Sequence, residues 1–116
     1  MRVVFIAGPF RGKTAWDVER NIRRAEEVAM RVAELGAMPL CPHTNTRFFD
    51  GTLTDDFWLE GTQDLLSRCD AVVLVKNWQL SSGTKTEISL AEYLGIPVFD
   101  MDVEENAFAR WLKETE

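Results

Sequence analysis

The fold is decided by the stretch VVFIAGPFRGKT, residues 3–14. Its first part, VVFIA, is a continuous apolar run rich in β-branched side chains, which predicts a strand buried on both faces. Gly8 and Pro9 end the run. Thr14 can then cap a helix, with Asp17 three residues later. A strand that turns directly into a helix is the first half of a β-α-β unit.

The same alternation continues along the chain. Apolar residues recur at helical spacing from residue 14 to residue 35, and Gly36 ends that helix. Further strands are predicted at 37–41, 71–75 and 96–99, with helices at about 54–68, 84–94 and 104–113. We therefore expect one domain over residues 1–116. Its predicted class is α/β: a Rossmann-like (flavodoxin-like), doubly wound parallel sheet of four or five strands, with helices on both faces.

Composition and charge limit the functions open to this chain. Its 116 residues carry a net charge of −6, so a nucleic-acid backbone or an anionic membrane surface would be repelled. We expect neither as a partner, whereas a small anionic ligand at a local basic position is compatible with this charge. Cys41 and Cys69 lie in no CxxC or CxxH motif, which indicates reduced thiols in a cytoplasmic protein. Because His43 is the only histidine, a histidine-based metal site would rest on a single residue. We expect no metal and no cofactor.

Three loops are expected to meet at the ligand-binding edge of the sheet. In open parallel sheets, ligands bind beyond the carboxyl ends of the strands. The segments that follow the first three predicted strands are Gly8–Thr14, Pro42–Gly51 and Lys76–Thr84. The sequence therefore predicts a site built from these segments.

The first of these loops admits several interpretations. The stretch AGPFRGKT fits the loose phosphate-loop pattern of a nucleoside triphosphatase or kinase, with Lys13 as its lysine. Pro9, however, removes a backbone N–H from the middle of that loop, and the strand AVVLV ends without the carboxylate that would hold magnesium. The favoured alternative is a turn that brings a ligand close to Gly8, with Arg11 binding a phosphate and Lys13 solvated. A turn that binds nothing is the third interpretation.

The stretch SSGTKTE, residues 81–87, leads into the helix predicted at about 84–94, and Glu87 falls in the first turn of that helix. Thr84-x-x-Glu87 has the spacing of a capping box, in which the glutamate only caps the helix. The loop also follows a central strand, where a carboxylate in the first turn of a helix could serve chemistry and would stay ionised. Location alone does not separate these two roles of Glu87.

Three segments together resemble the nucleoside 2-deoxyribosyltransferase superfamily. They are FIAGPFRG, PLCPHTN and CDAVVLVKNWQLSSGTKTEISLAEYLGIPV, and the resemblance covers nearly the whole chain up to Phe99. It is closest to the small members that include 2'-deoxynucleoside 5'-monophosphate N-hydrolases. The resemblance implies a metal-free enzyme that cleaves the base–sugar bond of a 2'-deoxynucleoside 5'-monophosphate, or of a nucleoside, by hydrolysis or by transfer to a second base.

The resemblance also implies roles for individual residues. Glu87 matches the glutamate nucleophile that attacks C1' of the deoxyribose. Gly8 and Pro9 match the turn that lines the sugar site. Arg11 matches a basic residue that binds the 5'-phosphate, and Ser81 matches a serine that contacts the same phosphate. Gly83, in the same Ser-x-Gly-x-x-x-Glu spacing, is expected to lie against the substrate.

Two positions depart from the pattern of these relatives. Many carry a tyrosine in the first strand that orients the glutamate, and this chain has Phe5 there. Many also carry an aspartate before the CDAVV strand that acts as acid and base for the departing nucleobase, and the matching position is Thr62. Among the neighbouring carboxylates, we assign Asp64 to that catalytic role; the alternative is a solvated carboxylate on the helix surface.

Two further side chains are expected to bind substrate. His43 lies in the loop that borders the site in relatives, and its alternative role is to order that loop. Trp78 precedes the serines, where an indole could stack on a nucleobase or close the loop against the core.

Two rival functions and the assembly state stay open at this point. The departures at Phe5 and Thr62 would suit a module that binds a nucleotide without cleaving it, and the second rival is the triphosphatase. Seven Phe and four Trp in so small a chain leave apolar surface to cover. We therefore expect a homodimer or higher homo-oligomer.

Overall fold

The computed structural model describes residues 1–49 and 51–115. Within them the chain forms a four-stranded parallel sheet with strand order β2-β1-β3-β4. The elements are β1 Val3–Ala7, α1 Ala15–Glu34, β2 Met38–Leu40, α2 Pro42–Asn45, α3 Asp55–Ser67, β3 Ala71–Leu74, a 3-10 turn Trp78–Leu80, α4 Ser82–Leu94, β4 Val98–Asp100 and α5 Glu105–Thr115. The doubly wound α/β class predicted from the sequence is confirmed.

Strand β1 divides the core into two layers because its side chains alternate between the faces of the sheet. Val4 and Ile6 pack with α1 and α5 residues such as Val32 and Phe108. Phe5 and Ala7 point to the opposite face, where Leu66 of α3 and Ala91 of α4 cover them. Helices therefore cover both faces, and the buried strand β1 lies between β2 and β3.

The structure differs from the sequence prediction at the start of two helices. The loop after β2 begins with the short helix α2, and Pro42 occupies its first turn, where the missing N–H carries no cost. Helix α4 begins at Ser82 rather than Thr84, because the Ser81 side chain accepts the Thr84 N–H and caps the helix. Pro97 comes just before β4, which is an edge strand as Pro97 predicts.

None of the helices within residues 1–49 and 51–115 combines the length and the apolar character needed to cross a membrane.

Candidate functional site

A cavity of about 980 Å³ opens at the carboxyl ends of the central strands. It is lined by the loop after β1, by the segment that follows β2, by one face of α3, and by the segment from Asn77 to Glu87. This volume is typical of a site for a small molecule. Described residues of all three predicted loops line it, since β2, β1 and β3 are adjacent parallel strands that end at the same edge. Asp50, in the second of these loops, lies outside the described residues.

Gly8 is required by packing in this structure. A Cβ on Gly8 would lie 2.6 Å from the Cβ of Val75, because the turn after β1 crosses directly against the end of β3. In the sequence, Gly8 was explained by the close approach of a ligand to the backbone. The structure adds a steric reason that holds without any ligand, and Gly8 also lines the cavity together with Pro9.

Two side chains hold the loop after β1 in place. The Asn21 amide donates to the carbonyl oxygens of Phe10 and Arg11, at 3.2 and 3.1 Å. His43 Nε2 lies 2.9 Å from the Pro9 carbonyl oxygen. Because a carbonyl can only accept, Nε2 carries the proton. These bonds tie the loop to α1 on one side and to α2 on the other.

His43 is a buried, neutral side chain on the cavity wall. Only 7% of its surface is exposed. Burial lowers its pKa, against the opposing effect of the Pro9 and Gly8 carbonyls. Its Nδ1 atom is buried and finds no partner among the residues that the structure describes. The structure therefore supports the loop-ordering role of His43 directly, and it also places His43 against the cavity.

Glu87 lies in the second turn of α4 and lines the cavity. Because Ser81 caps this helix, the capping role proposed for Glu87 is wrong. Its carboxyl group makes no hydrogen bond or ion pair with residues 1–49 or 51–115. Burial raises the pKa of Glu87 to about 7, opposite to the lowering expected from a helix N-terminus. Desolvation outweighs the helix dipole here, because the carboxyl group lies beyond the first turn.

Ser81 and Gly83 lie together on the cavity wall. The Ser81 Oγ accepts the Thr84 N–H at 3.1 Å and lies 3.0 Å from the Thr84 hydroxyl. Among the described residues, a Cβ on Gly83 would meet only the Ser81 Oγ, at 3.8 Å. These neighbours accordingly make no steric demand for glycine at position 83.

Arg11 provides the cationic group of the cavity. It is the only lysine or arginine among the described residues that line it. Its guanidinium lies 3.4 Å from the Asp55 carboxylate, and both side chains are largely exposed. Such a pair contributes little stability, so a ligand anion can compete for Arg11. Lys13 is exposed and lies outside the lining residues, as expected for a solvated side chain.

Asp64 does not reach the cavity. The face of α3 that lines it carries Asp55, Trp58, Leu59 and Thr62, which repeat at helical spacing. Asp64 is two residues beyond Thr62, about 200° farther around the helix, and it is exposed. The catalytic role assigned to Asp64 is therefore not supported by its position.

Trp78 also lies away from the cavity lining. Its indole N–H donates to the Asp100 carboxylate at 2.9 Å, and its ring packs on the core layer beneath α3 and α4. The expectation that Trp78 stacks on a base is corrected, because this hydrogen bond holds the ring toward β4.

Trp58 is an aromatic residue of the cavity that was not predicted from the sequence. It lines the cavity and contacts Phe49 and Phe57, with ring centroids 5.6 and 5.0 Å apart. Its Nε1 is buried without an acceptor in the described part of the chain. The helical spacing of Asp55, Trp58 and Thr62 was the available signal, once Thr62 had been placed near the site.

No group of three or more His, Cys, Asp or Glu side chains within residues 1–49 and 51–115 is arranged to hold a metal ion.

Comparison with known proteins identifies the family of this chain. It belongs to the family described as "Domain of unknown function (DUF7768)", which matches residues 2–101. No curated protein matches the chain.

Two solved structures are similar to this fold. One is a 2-deoxyribosyltransferase from the psychrotolerant bacterium Bacillus psychrosaccharolyticus, with 19% identity and a TM-score of 0.61; the match covers 83% of this chain and 69% of that protein. The other is a conserved protein from Enterococcus faecalis V583, with 18% identity and a TM-score of 0.69; the match covers 84% of this chain and 61% of that one. At these identities the similarity establishes a shared fold.

Proposed function

We propose that this protein is an N-glycosidase or deoxyribosyltransferase. It cleaves the base–sugar bond of a 2'-deoxynucleoside 5'-monophosphate, or of the nucleoside, with Glu87 as the nucleophile. The observation that carries the proposal is that Glu87 lines the cavity and that its carboxyl group bonds to no partner within residues 1–49 and 51–115. A carboxyl group in this position is available to a ligand and is not used by the fold.

The chemistry of base–sugar cleavage suits such a carboxylate. Positive charge develops on C1' and on the ring oxygen as the bond to the base breaks. A carboxylate against that face stabilises the charge and can form a covalent glycosyl ester. Water or a second base then releases the sugar from Glu87. With a pKa of about 7, a substantial fraction of Glu87 is ionised at neutral pH.

The other groups on the cavity wall fit the remainder of a nucleotide. Arg11 and Ser81 supply donors for a 5'-phosphate, and the first turn of α4 favours an anion. Trp58 offers an aromatic surface for the base. Since Asp64 lies outside the cavity, the departing base takes its proton from another cavity group or from water.

The fold supports the same class of reaction. One of the similar structures is a 2-deoxyribosyltransferase, an enzyme that handles deoxyribose, and its fold is shared over most of this chain.

The decisive experiment measures free base by chromatography, without added metal, from a panel of deoxynucleosides and their 5'-monophosphates. The wild type is expected to release base and Glu87→Gln to release at least about a hundredfold less. Glu92→Gln is the matched control, because Glu92 lies on the same helix and is exposed. Asp64→Asn is expected to keep activity within about twofold of the wild type.

Two results would reject the proposal. Equal base release by the wild type and Glu87→Gln would show that Glu87 is not the nucleophile. No release from any substrate, together with a rise in melting temperature on adding a nucleotide, would make the protein a nucleotide-binding module without this activity.

A further inference from the structure

Thr84 is a buried polar residue that takes no part in the proposed reaction. Only 1% of its surface is exposed, and its hydroxyl oxygen lies 3.0 Å from the Ser81 Oγ. The Thr84 backbone N–H also donates to the Ser81 Oγ, at 3.1 Å. The backbone N–H and the side-chain hydroxyl of one residue therefore converge on the same serine oxygen.

The direction of the hydroxyl bond follows from the burial of Thr84. Its hydroxyl proton has no other acceptor among residues 1–49 and 51–115, and a buried hydroxyl without an acceptor is costly. Ser81 lines the cavity, so its own proton can reach solvent or a ligand. The Thr84 hydroxyl must accordingly donate to Ser81.

As a consequence, Ser81 can only donate a hydrogen bond toward the cavity. The Ser81 oxygen accepts two hydrogen bonds from Thr84, and these occupy both of its lone pairs. Its O–H is the single remaining hydrogen-bonding position. A ligand atom at Ser81 must therefore be an acceptor.

We infer that Thr84 is a positioning residue that makes Ser81 a dedicated donor to a phosphate oxygen of the substrate. The inference rests on the proposed function, because it assumes that a nucleotide occupies this cavity. A phosphate oxygen without a proton only accepts, whereas a sugar hydroxyl both donates and accepts. A serine restricted to donation therefore favours the 5'-monophosphate over the free nucleoside.

Neighbouring groups have the same donor character. The N–H groups of Ser82 and Gly83 occupy the first turn of α4 and bond to no acceptor in the described part of the chain. Arg11 lines the same cavity. Together these groups would present donors to the oxygens of one phosphate.

The test replaces the Thr84 hydroxyl and measures binding by calorimetry. Thr84→Val keeps the shape and removes the hydroxyl, so Ser81 regains a free lone pair and can rotate. We expect Thr84→Val to bind 2-deoxyribose 5-phosphate about tenfold more weakly. Binding of unphosphorylated 2-deoxyribose should stay unchanged. Thr84→Ser keeps the hydroxyl and should restore phosphate binding to within about twofold of the wild type.

A double-mutant cycle separates positioning from a general loss of structure. Ser81→Ala should lose the same preference for the phosphate ester, and adding Thr84→Val to it should cause no further loss. Circular dichroism and melting temperatures check the fold of each variant, and Thr84→Ala replaces Thr84→Val if the latter does not fold.

The outcomes separate this inference from the proposed function. Equal binding by Thr84→Val and Thr84→Ser would overturn the inference, as would a wild type that binds 2-deoxyribose 5-phosphate no better than 2-deoxyribose. A selective loss in Thr84→Val supports the inference even if the wild type releases no base, in which case only the proposed function fails. If base is released, Thr84→Val should raise KM for the monophosphate with little change in kcat.

Discussion

Glu87 has two properties that act in opposite directions. The Glu87 carboxyl group lies at the cavity and bonds to no group among the described residues, so a ligand can contact it. Its partial burial raises its pKa to about 7. The charged form is therefore the reactive form and also the form that the fold disfavours. This conflict is expected where a carboxylate serves chemistry more than stability.

The first prediction concerns the pH dependence of base release. Since the ionised carboxylate is the nucleophile, kcat/KM should rise tenfold per pH unit below about pH 7 and level off above it. The pH profile of the wild type measures this pKa directly. A flat profile between pH 5 and pH 8 would contradict an ionising nucleophile with this pKa.

The second prediction concerns stability. The folded-state pKa of Glu87 is raised above its ordinary value of 4.5, so its contribution to stability is fully present below about pH 4.5 and is lost as pH rises through about 7. Glu87→Gln removes that loss. It should increase the free energy of unfolding at pH 8 by about 3 kcal/mol, with little change at pH 4.

Urea unfolding of the wild type and Glu87→Gln at both pH values measures this difference, with Glu92→Gln as control. A variant less stable than the wild type at pH 8 would show that the charged form of Glu87 stabilises the fold.

At the scale of elements, the cavity depends on how each segment meets its neighbour. Helix α3 presents one face to the cavity, so Thr62 lines it and Asp64 does not. Helix α4 begins at Ser82, which places Thr84 under Ser81 and Glu87 one turn farther along. The turn after β1 packs against the end of β3 at Gly8.

The third prediction compares two glycines of the cavity wall. Gly8→Ala would place a methyl group 2.6 Å from the Val75 Cβ, and it should lower the free energy of unfolding by about 2 kcal/mol through overpacking. The methyl group of Gly83→Ala meets only the Ser81 Oγ among the described residues, at 3.8 Å, and alanine favours a helix. This substitution should leave stability unchanged or raise it by up to about 1 kcal/mol. Thermal unfolding of both variants measures this difference in stability. An equal loss of stability in Gly8→Ala and Gly83→Ala would exclude the packing role of Gly8.

At the scale of the whole molecule, helices cover both faces of the sheet but leave apolar side chains outside. Phe57 on α3, and Tyr93 and Leu94 on α4, are exposed, and these two helices pack on the same face of the sheet. Exposed apolar side chains on neighbouring helices are candidates for an interface between subunits.

The fourth prediction is that the chain forms a homo-oligomer through this α3–α4 face. Tyr93→Glu should reduce the mass measured by sedimentation toward that of a monomer, because it would place a charge in the interface. Met30→Glu is the matched control, since Met30 is an exposed apolar residue on α1. A monomer mass for the wild type at every concentration would contradict the prediction.

Local sequence patterns suffice to predict the order of strands and helices, the parallel sheet and the three loops that meet at its edge. These features follow from local patterns: apolar runs such as VVFIA, helical spacing, and Gly or Pro at the ends. The same patterns located Glu87, Arg11 and Ser81 in loops or helix starts at that edge, and all three line the cavity.

Contacts between residues distant in sequence determine which side chains line the cavity and in which direction the pKa of Glu87 shifts. The direction of a side chain depends on helix phase and on distant partners, so the start of α4 and the face of α3 placed Glu87 and Trp58 inside and Asp64 outside. A hydrogen bond to Asp100, 22 residues away, turned Trp78 from the site. The pKa of Glu87 was decided in the same way, because desolvation depends on everything packed around the carboxyl group and leaves no local signal in the sequence.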